Sequence, residues 1–172
     1  LVQGSMNLGF DSALIQKDKI DTLFNCAWTL EVFKSIILSF LMLCSIPLFN
    51  LFFEINNINI LIYIVCLIIL IDGFKNIGMV TYRKELNFKV QFFYELIPSV
   101  INILCSVIFA YFYRNAESIL FALLISKIST LVLSYLLHSL RPKIEINIIK
   151  FNSLFNFGIW ITLSSVISIL RL

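Results

Sequence analysis

The chain has 172 residues, of which 60% are hydrophobic and only 13% charged, with a net charge of +3. A water-soluble domain of this size needs a polar skin and carries about 25% charged residues, so the composition excludes an ordinary soluble enzyme, and +3 dispersed along the chain makes no nucleic-acid surface. The solvent that tolerates this surface is lipid.

The leading residues 1–25 are too polar for a span. They lack the basic start and apolar run of a signal peptide, and read as a cytoplasmic segment that follows a missing helix. Four apolar stretches come next, at about 26–53, 58–80, 92–113 and 118–138, each near the 20 or so residues that cross a bilayer. Runs such as LIYIVCLIILI do not alternate as barrel strands do, and in lipid the backbone must pair within each segment. The expected fold is therefore all-α, an antiparallel transmembrane helix bundle. Residues 141–153 form a polar connection, opened by Pro142 after the fourth span. A further apolar stretch occupies 154–172. The chain starts without Met and stops inside that stretch, so it reads as a piece of a longer protein.

Charge placement gives the orientation. Lys17 and Lys19, then Arg83, Lys84 and Lys89, then Arg141, Lys143 and Lys150 fall on segments separated by an even number of spans. The tight turns 54–57 and 114–117 carry only Arg114 among basic residues. Eight against one predicts that loops 81–91 and 139–153 are cytoplasmic and both turns external.

Several charges fall inside the spans, where each costs several kcal/mol unless it meets a partner or a wet cavity. Glu31 and Lys34 sit three apart on the first span, and Asp72 and Lys75 repeat that spacing on the second, so each pair shares a helical face. Glu95 lies one turn into the third span, Lys127 near the middle of the fourth and Arg171 in the last apolar stretch. Lys127 has no acidic residue three or four positions away. The residues thus suggest a polar, partly cationic cavity between helices, against the plainer alternative of local charge neutralisation. Pro47 and Pro98 can kink spans, and Gly73 and Gly78 permit close helix approach. Cys26, Cys44, Cys66 and Cys105 are isolated and read as packing residues; no metal spacing, phosphate loop or nucleophile motif occurs. A non-enzyme without cofactor or metal is the expectation.

Three stretches carry a family resemblance. LGFDSALIQKDKI from Leu8 to Ile20, YRKELNFKVQFFYELI from Tyr82 to Ile97, and RPKIEI from Arg141 followed by FNFGIWITLSSVI from Phe155 occur in order along the chain. They resemble polysaccharide and O-antigen flippases of the multidrug, oligosaccharidyl-lipid and polysaccharide exporter superfamily. The resemblance implies a fragment of a two-lobe exporter fold: helices three to six of the first lobe, the inter-lobe connection and the first helix of the second. It implies a bacterial cytoplasmic-membrane transporter in O-antigen, lipopolysaccharide or capsule biosynthesis, moving polyprenyl-diphosphate-linked oligosaccharide by alternating access. Within that frame Lys127, Lys75 and Arg171 are the candidate substrate contacts. Glu31, Asp72 and Glu95 are candidates for coupling to Na+ or H+. The Ser126–Lys127 pair departs from the small or uncharged residues usual there. A drug/cation antiporter of the same superfamily and a membrane-embedded polysaccharide polymerase or ligase are the alternatives.

Overall fold

The computed structural model describes residues 24–52, 58–115 and 117–145. The described residues form six helices: α1 (Phe24–Cys44), α2 (Ile46–Phe52), α3 (Ile58–Gly73), α4 (Met79–Lys84), α5 (Phe88–Tyr113) and α6 (Glu117–Leu137). No strand occurs among them. By length and composition α1, α5 and α6 can each cross a membrane. The described residues are thus helical, without a strand, and their three long apolar helices make the protein multi-pass, as its composition dictates.

Two expected spans are interrupted. The stretch 26–53 turns at Ser45, where the chain leaves α1 and restarts as α2. Pro47, the second residue of α2, has no N–H to bond back to the preceding turn. Just before α2 the Ser45 hydroxyl donates to the Met42 carbonyl at 2.7 Å. In the stretch 58–80 the first helix ends at Gly73, and its 16 residues make about 24 Å, short of the roughly 30 Å hydrocarbon core. A turn over 74–78 then leads into α4.

The helices pack in the order α1, α3, α6, α5. The pattern of α3 explains its place between two neighbours. It buries Ile62 and Cys66 on one side and Ile64 and Ile68 on another, positions two apart and so about 200° around the helix. On α6 the buried residues Ser118, Ala122, Ser126 and Ser134 recur at steps of four, four and eight residues and make a small-residue ridge.

Polarity is inverted relative to a soluble bundle. Small and polar groups fill the seams, while Phe33, Phe40, Leu41, Leu104, Val107 and Phe112 face outward with many other large apolar side chains. Lipid makes that arrangement favourable, because helices there associate through close packing and interhelical hydrogen bonds. Ser39 Oγ donates to the Cys66 carbonyl across the α1–α3 seam at 3.4 Å, and Ser126 Oγ donates to the Pro98 carbonyl across α6–α5 at 2.8 Å. Each such bond contributes about 0.6 kcal/mol. Cys26 and Cys66 are buried, as packing residues would be, whereas Cys44 is exposed and Cys105 intermediate; none of the four forms a disulfide.

At one end of the bundle three segments converge. The backbone N–H groups of Lys143 and Glu145 donate to Asn25 Oδ1 (3.1 Å) and Thr29 Oγ1 (3.0 Å), so the chain leaving α6 lies back across the start of α1. Thr81 of α4 meets His138 just beyond α6. This end carries Arg83, Lys84, Arg141 and Lys143, so these two basic segments lie at the same end of the described helices.

Candidate functional site at the break in α3

Gly73 ends α3 where α1 comes closest. A Cβ built there would lie 2.1 Å from Ser35 Oγ and 2.4 Å from Ser35 Cβ, so only glycine lets the two helices touch. Beyond it the chain leaves the helix, and its backbone groups need partners, each costing several kcal/mol if left bare in lipid. The partners come from α6. The Tyr135 hydroxyl donates to the Phe74 carbonyl at 3.0 Å, and the Asn76 N–H donates to Ser134 Oγ at 2.9 Å. Asn76, 1% exposed, spends its own amide on the same task. Its Oδ1 accepts from the Gly78 N–H at 2.9 Å, and its Nδ2 donates to the Leu140 carbonyl at 2.7 Å.

His138 closes this clasp. The Leu140 N–H donates to Nδ1 at 3.0 Å, which assigns the ring proton to Nε2, 3.1 Å from Thr81 Oγ1; the Thr81 hydroxyl in turn donates to the Gly78 carbonyl at 2.7 Å. The ring leaves no room at Gly78, where a Cβ would come within 2.5 Å of Nδ1. The Tyr82 hydroxyl bonds the Leu137 carbonyl at 2.9 Å. Burial holds the His138 pKa below its ordinary value against the opposing pull of Glu85, and Arg141 adds to the depression.

The charged residues gather beside the break. Asp72, the penultimate residue of α3, points its two oxygens at two lysines. Oδ1 lies 3.1 Å from Lys127 Nζ on α6, and Oδ2 lies 3.8 Å from Lys75 Nζ in the turn. On α1, Glu31 and Lys34 form an ion pair, as their spacing requires. Gly73, the neighbour of Asp72, packs against Ser35, the neighbour of Lys34. Two carboxylates and three ammonium groups, from α1, α3, the 74–78 turn and α6, leave one excess positive charge. The lysines also complement the negative carbonyl end of α3.

The site residues expected from sequence are therefore brought together in part. Asp72, Lys75 and Lys127 meet, and the Glu31–Lys34 pair lies on the stretch of α1 that packs against Gly73. Lys127, which has no acidic neighbour on its own helix, finds one on α3. Glu95 stands apart: its exposed carboxylate accepts from Gln91 Nε2 at 3.1 Å and lies 3.6 Å from Arg83. Arg171 lies outside the described residues. An open groove of about 550 Å³, lined by Phe74, Leu131, Val132, Tyr135, Leu136 and Arg141, begins one turn past Lys127 along α6. The Arg141 guanidinium stands 5.7 Å from the Tyr135 ring centroid, at the rim.

Sequence reasoning passed over Asn76, Thr81, Tyr82 and Ser134, and gave His138 no role. The signal available for Asn76 was its place between two glycines in an apolar run, where an amide needs a reason to be buried.

Fold and site together define a polytopic membrane protein with a charged seam at an interrupted helix. Residues 1–171 match the model of a family described as polysaccharide biosynthesis protein, and the chain belongs to that family. No curated protein matches the chain, and no solved structure does so either.

Proposed function

We propose that this chain is part of a bacterial transporter that flips polyprenyl-diphosphate-linked oligosaccharide, of O-antigen or capsule type, across the cytoplasmic membrane by alternating access. The observation that carries the reading is the net-cationic cluster around Asp72, Lys75 and Lys127, set inside an apolar bundle at a helix break. Moving a diphosphate through hydrocarbon unshielded is prohibitive. Ammonium groups at depth offer its oxygens charge-assisted hydrogen bonds in a low-dielectric setting. The apolar groove along α6 suits a prenyl chain beside that headgroup. Interrupted helices are the usual substrate-facing elements of carriers whose halves rock about a central site.

Lys127 and Lys75 are the substrate contacts in this reading, with Arg171 added from the last apolar stretch. Glu31, Asp72 and Glu95 are the acidic residues on which coupling to H+ or Na+ would act. The basic loops face the cytoplasm, and the protein moves its substrate without making or breaking a bond. A drug/cation antiporter would need a carboxylate open to its cargo, whereas Glu31 and Asp72 are each already paired with lysine. A polymerase needs a sizeable polar outer segment, whereas only residues 114–116 separate α5 from α6.

The test is complementation. The full-length protein should restore surface polysaccharide to a strain lacking its lipid-linked-oligosaccharide exporter, and Lys127→Gln with Lys75→Gln should abolish the rescue at equal protein level. Undiminished rescue by the double variant would refute the assignment.

A further inference from the structure

We propose that Asp72 is a built-in counter-anion, which an anionic headgroup displaces from Lys127 and Lys75 on binding and which takes those lysines back on release. The inference rests on the transport reading above and gives Asp72 a role distinct from ion coupling. Its basis is the division of the carboxylate: one oxygen serves Lys127, on a continuous helix, and the other serves Lys75, in the non-helical turn. Asp72 is thereby the bridge between a rigid element and the interrupted one.

With Asp72 in place, the three groups carry a single net positive charge. They present no pair of uncompensated ammonium groups to a ligand. With the carboxylate swung away, two ammonium groups from two elements become available, and a diphosphate has enough oxygens to bridge both. The displaced carboxylate stays beside α1, where Gly73, next to Asp72, packs against Ser35, next to the Glu31-paired Lys34. Charge exchange of this kind keeps both states neutral enough for a lipid setting, where an uncompensated lysine is expensive. It also limits affinity. A carrier must let go, and an internal competitor for the same lysines speeds release.

The ligand class is a prenyl diphosphate, and the probes are farnesyl diphosphate, inorganic pyrophosphate and farnesol. They are titrated into the full-length protein in nanodiscs of neutral lipid. Asp72→Asn should bind farnesyl diphosphate about tenfold more tightly than the wild type and dissociate it more slowly, with farnesol binding unchanged. Adding Lys127→Gln should erase the gain. Pyrophosphate should follow farnesyl diphosphate if the headgroup carries the effect. An Asp72→Asn variant that melts early still reports, because farnesyl diphosphate should raise its melting temperature by more than it raises the wild type's. Unchanged or weaker binding by Asp72→Asn, or an equal thermal shift, overturns the counter-anion. These affinities are read without transport, so failed complementation alongside a tenfold gain would remove the flippase reading and leave the counter-anion standing.

Discussion

Helices α3 and α5 are both rich in apolar residues, yet one breaks and the other does not. α5 runs unbroken for 26 residues with Pro98 inside it. The Ser99 hydroxyl donates to the Glu95 carbonyl at 2.7 Å, and α6 reaches across to the Pro98 carbonyl through Ser126. α3 has no proline and stops at Gly73 after 16 residues. The contrast teaches that in lipid a helix breaks where its freed backbone groups find partners, not simply where a helix-breaking residue stands. Asn76, Ser134 and Tyr135 are those partners for the turn that follows α3. On α5 the side-chain hydroxyls add bonds to the carbonyls of Glu95 and Pro98, and the helix runs on through the proline.

The sharpest way to break the comparison is Gly73→Leu. The side chain would collide with Ser35, separate α1 from α3 and destabilise the protein by about 3 kcal/mol, read as a lowered melting temperature. Next is Asn76→Leu, which strips the Leu140 carbonyl and the Gly78 N–H of their partner and should cost about 2 kcal/mol by the same assay. Pro98→Ala should change stability by less than about 1 kcal/mol, because α5 is already continuous there. A large loss from Pro98→Ala, or none from Asn76→Leu, would reverse the lesson.

The smallest effect is the pH dependence of the clasp. His138, the chain's sole histidine, has a folded pKa depressed mainly by burial. The clasp's contribution is thus complete above the unfolded value of about 6.5 and is lost as pH falls below it toward the folded value. The melting temperature should decline between about pH 7 and pH 5, and His138→Gln should flatten that decline. A wild-type profile identical to the variant's would contradict the assigned tautomer.

Much of this architecture was legible in the chain, for physical reasons. Apolar length announces helices, and three of the four expected spans contain helices long enough to cross a membrane. The spacing of Glu31–Lys34 and Asp72–Lys75 announced local pairs. Two features were not legible from local rules. The break at Gly73 depends on Ser134 and Tyr135, about sixty positions away, and on the close approach of Ser35. The partner of Lys127 lies 55 positions off, beyond any helical spacing. A depth argument would have found it. Counting back from the expected ends near Val80 and His138, Asp72 and Lys127 fall about eight and eleven residues in, within one turn of each other at 1.5 Å per residue.

The pairing of Asp72 with Lys127 is the joint between the interrupted helix and its neighbour, and the cationic cluster is built around it. A double-mutant cycle on the full-length protein in nanodiscs tests it directly, using Asp72→Asn, Lys127→Gln and the two combined. Each single change should lower stability by about 1–2 kcal/mol, discounted for the partial exposure of both groups. The double change should cost clearly less than the sum, with a coupling of about 1 kcal/mol. Simple additivity of the two losses would mean that the two charges do not meet, and would contradict the account.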